Sequence, residues 1–206
     1  MYTHYYFLGI GGIGMSALAR YFKGKGFQVA GYDRTKTRLT SELEKEGIKI
    51  HYEENISSIE NDYKQKEKCL IVYTPAIPND SIELNYFKNN DFRILKRAQV
   101  LGEVTRQSKG ICIAGTHGKT TTSTMTAHLL YSSAVHCSAF LGGVSNNYDK
   151  NILFSDKSDY VVIEADEYDR SFHQLSPYMA LITASDADHL DIYKDKDSYR
   201  ESFEHF

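Results

Sequence analysis

Residues 9–14 read Gly-Ile-Gly-Gly-Ile-Gly, so Gly9, Gly11 and Gly14 satisfy G-x-G-x-x-G. An apolar run, Tyr5-Tyr6-Phe7-Leu8, leads in, and "GMSALARYFKGKG" leads out with helical spacing. Few folds accommodate a strand, a glycine turn and a helix in direct succession. The glycines allow a tight turn and let a pyrophosphate come against the backbone at a helix N-terminus. Asp33 ends a second apolar run, "QVAGYD", where an acid can meet a ribose hydroxyl. The pattern asks for a parallel α/β layer and a ligand with a diphosphate and a ribose. An NAD(P)-dependent oxidoreductase is one such reading; another nucleotide would serve the same backbone.

The rest of the chain continues the alternation. "IKIHY", "CLIVYTPAI" and "FRILKR" are predicted strands; "LTSELEKEG", "DSIELNYFKNN" and about 98–107 are predicted helices. Strands alternating with helices imply a parallel sheet, with ligands at the carboxyl ends of its strands. Gly9–Gly14, Asp33 and Thr74–Ile77 then share one edge. The pattern restarts near Ser108, which divides the chain into 1–107 and 108–206.

Composition narrows the function classes. A net charge of -3 gives no footing for nucleic acid or an anionic membrane. No apolar stretch is long enough to span a bilayer, and no signal peptide is evident, so the expectation is a soluble cytoplasmic protein. Cys69, Cys112 and Cys137 are odd in number and read as buried reduced thiols. With 16 Tyr, 10 Phe and no Trp, the apolar bulk rests on Tyr and Phe.

A second glycine loop, "AGTHGKTTT", follows the strand Ile111-Cys112-Ile113. Gly115 and Gly118 stand closer than in a strict P-loop, but the physics survives. Amides of Thr116 to Thr120 can cup phosphate at a helix N-terminus, and Lys119 can reach the outer phosphates. The Thr120 hydroxyl can ligate Mg²⁺. Val161-Val162-Ile163 lead into Glu164, the usual place for a second Mg²⁺ partner, with Asp166, Glu167 and Asp169 just after. Leu181-Ile182-Thr183 lead into "SDADHLD", which holds an Asp188-His189 pair; His189 is a metal ligand or an ordinary histidine.

"GIGGIGMSALA", "AGTHGKTTT", "EADEYDRSF" and "DADHLDIY" together, in order and spacing, resemble the Mur ligase family. These are ATP-dependent amino-acid ligases of bacterial cell-wall precursor synthesis. The resemblance implies a Rossmann-like parallel-sheet N-terminal domain followed by an incomplete P-loop-type α/β ATP-binding domain. It implies that Gly11, Gly12, Ile13 and Gly14 meet the diphosphate of UDP-N-acetylmuramate, with Asp33 on the uridine and Thr74 in the substrate loop. Gly115, Thr116, His117, Gly118, Lys119, Thr120 and Thr121 would bind ATP. Thr120, Glu164 and His189 would hold magnesium, and Lys119 and His189 would take part in catalysis. The motifs look most like the branch that adds L-alanine through an acyl phosphate; the murein tripeptide ligase has a different first loop. Thr74 and Pro75 replace the family's usual serines, and Ala184 replaces an asparagine. Family members are more than twice as long, so the expectation for these 206 residues is substrate binding without turnover, with an uncovered sheet edge or face in the second domain.

Overall fold

The computed structural model describes residues 2–186, 193 and 195–206. The chain forms two compact units, Met1–Val100 and Leu101–Phe206.

The first unit is built on five parallel strands in the order β3-β2-β1-β4-β5. These are β1 (His4–Leu8), β2 (Gln28–Tyr32), β3 (Lys49–His51), β4 (Cys69–Tyr73) and β5 (Ile94–Lys96). Helices α1 (Ile13–Gly24), α2 (Arg38–Lys45) and α3 (Ile82–Asn89) connect them, and α4 (Arg97–Arg106) leads on into the second unit. Both faces of the central strands are covered, which is why β1 and β4 read as unbroken apolar runs. Tyr6, Leu8, Ala30, Tyr32, Cys69 and Ile71 pack on Leu84 and Phe87 of α3. Phe87 meets Phe92 edge-on, with centroids 5.0 Å apart. Each such aromatic contributes about 1.5–3 kcal/mol by burial alone.

Local chemistry sets the ends of the helices. Thr37 and Thr40 form a reciprocal capping box that starts α2. Ser81 caps α3 by accepting the Leu84 N–H at 3.1 Å. After α2, Gly47 takes a φ of 82°, a left-handed turn open to glycine at little cost. Strand β4 is shorter than its sequence suggests. It stops at Tyr73, and residues 74–77 close a turn in which the Ile77 N–H reaches Thr74 O at 3.0 Å. Pro75 has no N–H to continue a ladder.

The second unit carries five strands in the order β10-β6-β9-β7-β8. They are β6 (Lys109–Ala114), β7 (Ser138–Ser145), β8 (Lys150–Leu153), β9 (Tyr160–Glu164) and β10 (Met179–Ile182). Helix α5 (Lys119–Ser132) follows β6, and α6 (Lys196–His205) lies near the end of the chain. All neighbours are parallel except β7 and β8, an antiparallel pair that the strand–helix alternation did not announce. Their register shifts between Phe140 and Ser145, around Gly142 and Gly143. Strand β10 lies at one edge and leaves Met179, Leu181 and Ile182 exposed. Among the described residues, no helix is long and apolar enough to cross a membrane.

Candidate functional site

In the first unit, the glycine loop lies at the carboxyl ends of β1 and β2. The N–H groups of Gly9 and Ile10 both donate to Tyr32 O, at 2.8 and 3.1 Å. Gly9 has a φ of 82°, and a Cβ there would lie 2.6 Å from Thr74 Cγ2. The sequence-derived residues Gly11, Asp33 and Thr74 therefore gather around one turn. Asp33 Oδ2 accepts the Gly11 N–H at 2.7 Å, and its Oδ1 accepts the Thr35 N–H at 3.0 Å. The acid thus fixes the loop while keeping lone pairs for a hydroxyl.

The open donors lie slightly further along than the motif suggests. The Gly12 N–H bonds Gly9 O at 3.3 Å, and the Ser16 N–H bonds Gly12 O at 2.8 Å. Between them, the amides of Gly14 and Met15 have no hydrogen-bond partner among the described residues. These first-turn donors sit at the positive end of the α1 dipole. The motif does not single out Met15, because what it offers here is an amide rather than a side chain.

In the second unit, Gly115 and Gly118 have φ values of 131° and 82°. A Cβ on Gly115 would collide with the Thr183 hydroxyl. Thr116 is spent on structure. Its N–H bonds Ala184 O at 2.9 Å, its hydroxyl donates to Asp186 O at 2.7 Å, and Tyr199 Oη lies 3.0 Å away. The departure at Ala184 is harmless to this contact, which uses only the backbone. Past Thr116, the amides of His117, Gly118, Lys119, Thr120 and Thr121 have no partner among the described residues. The Thr122 N–H makes the first helical bond, to Gly118 O at 2.9 Å. Five consecutive open donors at a helix N-terminus could hold phosphate oxygens.

Four side chains surround these donors. Lys119 Nζ donates to Gly115 O at 2.6 Å and to Glu167 Oε1 at 2.7 Å. Thr120 Oγ1 donates to Glu164 Oε1 at 2.8 Å. The other Glu164 oxygen accepts the Gly142 N–H at 3.1 Å, and a Cβ on Gly142 would strike that carboxylate. Gly142 and Glu167 were not foreseen as site residues. The "EADE" run holds three carboxylates, and spacing alone does not say which one pairs with the lysine. Thr120 and Glu164 present two hard oxygen donors side by side, a set that suits Mg²⁺ with its remaining ligands water. Among the described residues, no cluster of three or more His, Cys, Asp or Glu is arranged for a metal. His189, with Asp188 and Asp191, lies outside the described residues.

Residues 4–109 match the Mur ligase family, catalytic domain, and residues 113–206 match the Mur ligase middle domain. The chain belongs to the Mur ligase family. The UDP-N-acetylmuramate--L-alanine ligase of Porphyromonas gingivalis is 59% identical over 201 residues, covering 98% of this chain and 44% of that protein. The protein of the same name from Phocaeicola vulgatus is 61% identical over 198 residues, covering 96% of this chain and 43% of its own length. This Mur ligase chain thus spans less than half the length of those curated relatives. The solved UDP-N-acetylmuramate-alanine ligase of Thermotoga maritima superimposes with a TM-score of 0.84 at 31% identity, covering 98% of this chain and 46% of that one. The solved UDP-N-acetylmuramate:L-alanyl-gamma-D-glutamyl-meso-diaminopimelate ligase of Neisseria meningitides superimposes with a TM-score of 0.83 at 26% identity, covering 100% and 67%. The Mur ligase fold accounts for both glycine loops in one chain, which an oxidoreductase would not.

Proposed function

We propose that this Mur ligase joins L-alanine to UDP-N-acetylmuramate in peptidoglycan precursor synthesis, using ATP, in the cytoplasm. The observation that carries the reading is the pair of open amide sets, Gly14–Met15 in one unit and His117–Thr121 in the other. Each suits a different phosphorylated molecule. The first would take the diphosphate of the UDP sugar, with Asp33 and Thr74 beside it. The second would take the ATP phosphates.

The chemistry needs two anions brought together. The muramate carboxylate attacks the γ-phosphate of ATP, forming an acyl phosphate and releasing ADP. The amine of alanine then attacks that carbonyl carbon, and phosphate leaves as the amide forms. The open amides of His117–Thr121 hold the transferring phosphate and its growing charge, and Lys119 adds a full positive charge. Thr120 and Glu164 would hold Mg²⁺, which neutralises phosphate charge when bound. His189 is proposed as a further metal ligand or substrate-orienting group. No side chain has to act as a nucleophile.

The murein tripeptide ligase reading is the alternative, because the Neisseria structure superimposes nearly as well as the Thermotoga one. Fold does not separate them; the 59–61% identity to relatives named as alanine ligases supports the first reading, and the two solved structures differ little, at 31% and 26%. Mass spectrometry of products decides. With ATP, UDP-N-acetylmuramate and both acceptors supplied to the whole ligase, the alanine adduct is expected. Exclusive formation of the tripeptide adduct would overturn the assignment.

A further inference from the structure

We propose that Arg97 is the cation that holds the substrate diphosphate against the first glycine loop. The inference rests on the reading of that loop as the UDP-sugar site. Arg97 opens α4 directly after β5, at the same carboxyl edge of the sheet as the loop. Its side chain reaches the start of α1. A Cβ built on Gly14 would lie 2.9 Å from Arg97 Cδ and 3.0 Å from Nη1. The missing side chain at Gly14 is therefore what makes room for the arginine.

Its hydrogen-bonding state points to a ligand. Arg97 is half-buried, yet it has no hydrogen bond or ion pair among the described residues. Arg20 of the same unit, by contrast, pairs with Glu42 at 3.3 Å and with Glu46 at 2.9 Å. Guanidinium carries five donors, and none of the Arg97 nitrogens is buried without a partner, so they stay open to a ligand's oxygens. The open amides of Gly14 and Met15 lie at the same spot, so the unspent donors are clustered. Charge argues the same way. Asp33 already places a carboxylate on Gly11, and a diphosphate adds two further negative charges to the loop. A neighbouring cation offsets that repulsion. A planar guanidinium can also grip two phosphate oxygens at once, which fixes the direction of the diphosphate as well as its charge.

Calorimetric titration of the 206-residue chain tests this with UDP and UDP-N-acetylmuramate as probes. Arg97→Met keeps the aliphatic stem and removes the charge; Arg97→Lys keeps the charge and loses the fork. Arg97→Met is expected to weaken both ligands at least tenfold and to flatten the salt dependence, with Arg97→Lys in between. Binding by Arg97→Met within twofold of the parent would overturn the assignment while leaving the site reading intact. A parent chain that binds neither ligand would overturn the site reading, and the role of Arg97 with it. Should Arg97→Met fail to fold, phenylglyoxal labelling of the parent chain decides. Saturating UDP is expected to slow modification of Arg97 severalfold, and an unchanged rate would refute the proposal.

Discussion

Lys119 Nζ lies 2.7 Å from Glu167 Oε1, and the Glu167 side chain is only 1% exposed. The lysine of the second glycine loop is therefore paired with a buried carboxylate. Removing one partner of such a pair strands the other charge, at a cost of roughly 3–5 kcal/mol. Lys119→Met should lower stability in urea by about 3 kcal/mol without any nucleotide present. The double variant Lys119→Met, Glu167→Gln should lose less than the two single losses added together. A double-mutant cycle of urea midpoints measures this, and additive losses would show that the two side chains are not coupled.

The glycines of the two loops differ in what they exclude. A Cβ on Gly12 has no neighbour closer than 3.7 Å, and its φ of -64° suits any residue. A Cβ on Gly115 would strike Thr183, at a φ of 131°. Gly12→Ala should melt like the parent chain, whereas Gly115→Ala should lose at least 2 kcal/mol from clash and backbone strain. Circular dichroism melts of the two variants give the comparison.

All three thiols are buried, and burial pushes them up, Cys69 and Cys112 to about 12 and Cys137 to about 11. The thiolate is the reacting form, so these side chains should resist an aromatic disulfide reagent at pH 8. No thiol should titrate in the folded chain within minutes, and three should titrate in urea. Rapid labelling of a native thiol would contradict their placement in the two cores.

His173 donates from Nε2 to Ser202 O at 2.8 Å, and its ring stacks on Phe172. Burial holds its pKa below the ordinary imidazole value, and the nearby His205 and Arg170 push the same way against the Ser202 carbonyl. The unfolded chain therefore takes up this proton first as the pH falls through about 6.5. Stability contributed here is present at neutral pH and declines as the pH drops from about 6.5 towards the lower folded value. Thermal melts from pH 7.5 to 5.5 should show a decline that His173→Gln makes shallower. Glu201 and His205 line the same hollow, so the comparison with the variant isolates the histidine.

Much of the first sheet was legible because its buried parallel strands are written as continuous apolar runs, each followed by a glycine or a cap. The glycine turn of the second unit was legible for a related reason: "GTHGKTTT" encodes a backbone shape rather than a set of side-chain partners. Three features were not legible. The β7–β8 pair hides behind Gly142 and Gly143, which interrupt the apolar alternation where β7 approaches Glu164. Glu167 is one of several neighbouring acids, and only packing selects it for Lys119. Arg97 lies 83 residues beyond Gly14, and only the placement of β5 beside β4 brings its guanidinium to the loop. Long-range juxtapositions of this kind come from topology, which local periodicity does not carry.

The central claim is that two independent sets of main-chain donors each hold a different phosphorylated ligand. Cross-titration by calorimetry addresses it most directly, using the parent chain, Gly12→Val and Lys119→Met against UDP-N-acetylmuramate and against ATP with Mg²⁺. Gly12→Val is expected to lose the UDP sugar and keep ATP, and Lys119→Met the reverse, with at least tenfold losses in each case. Loss of both ligands from either variant while its fold is retained, or loss of neither ligand from both variants, would contradict the account.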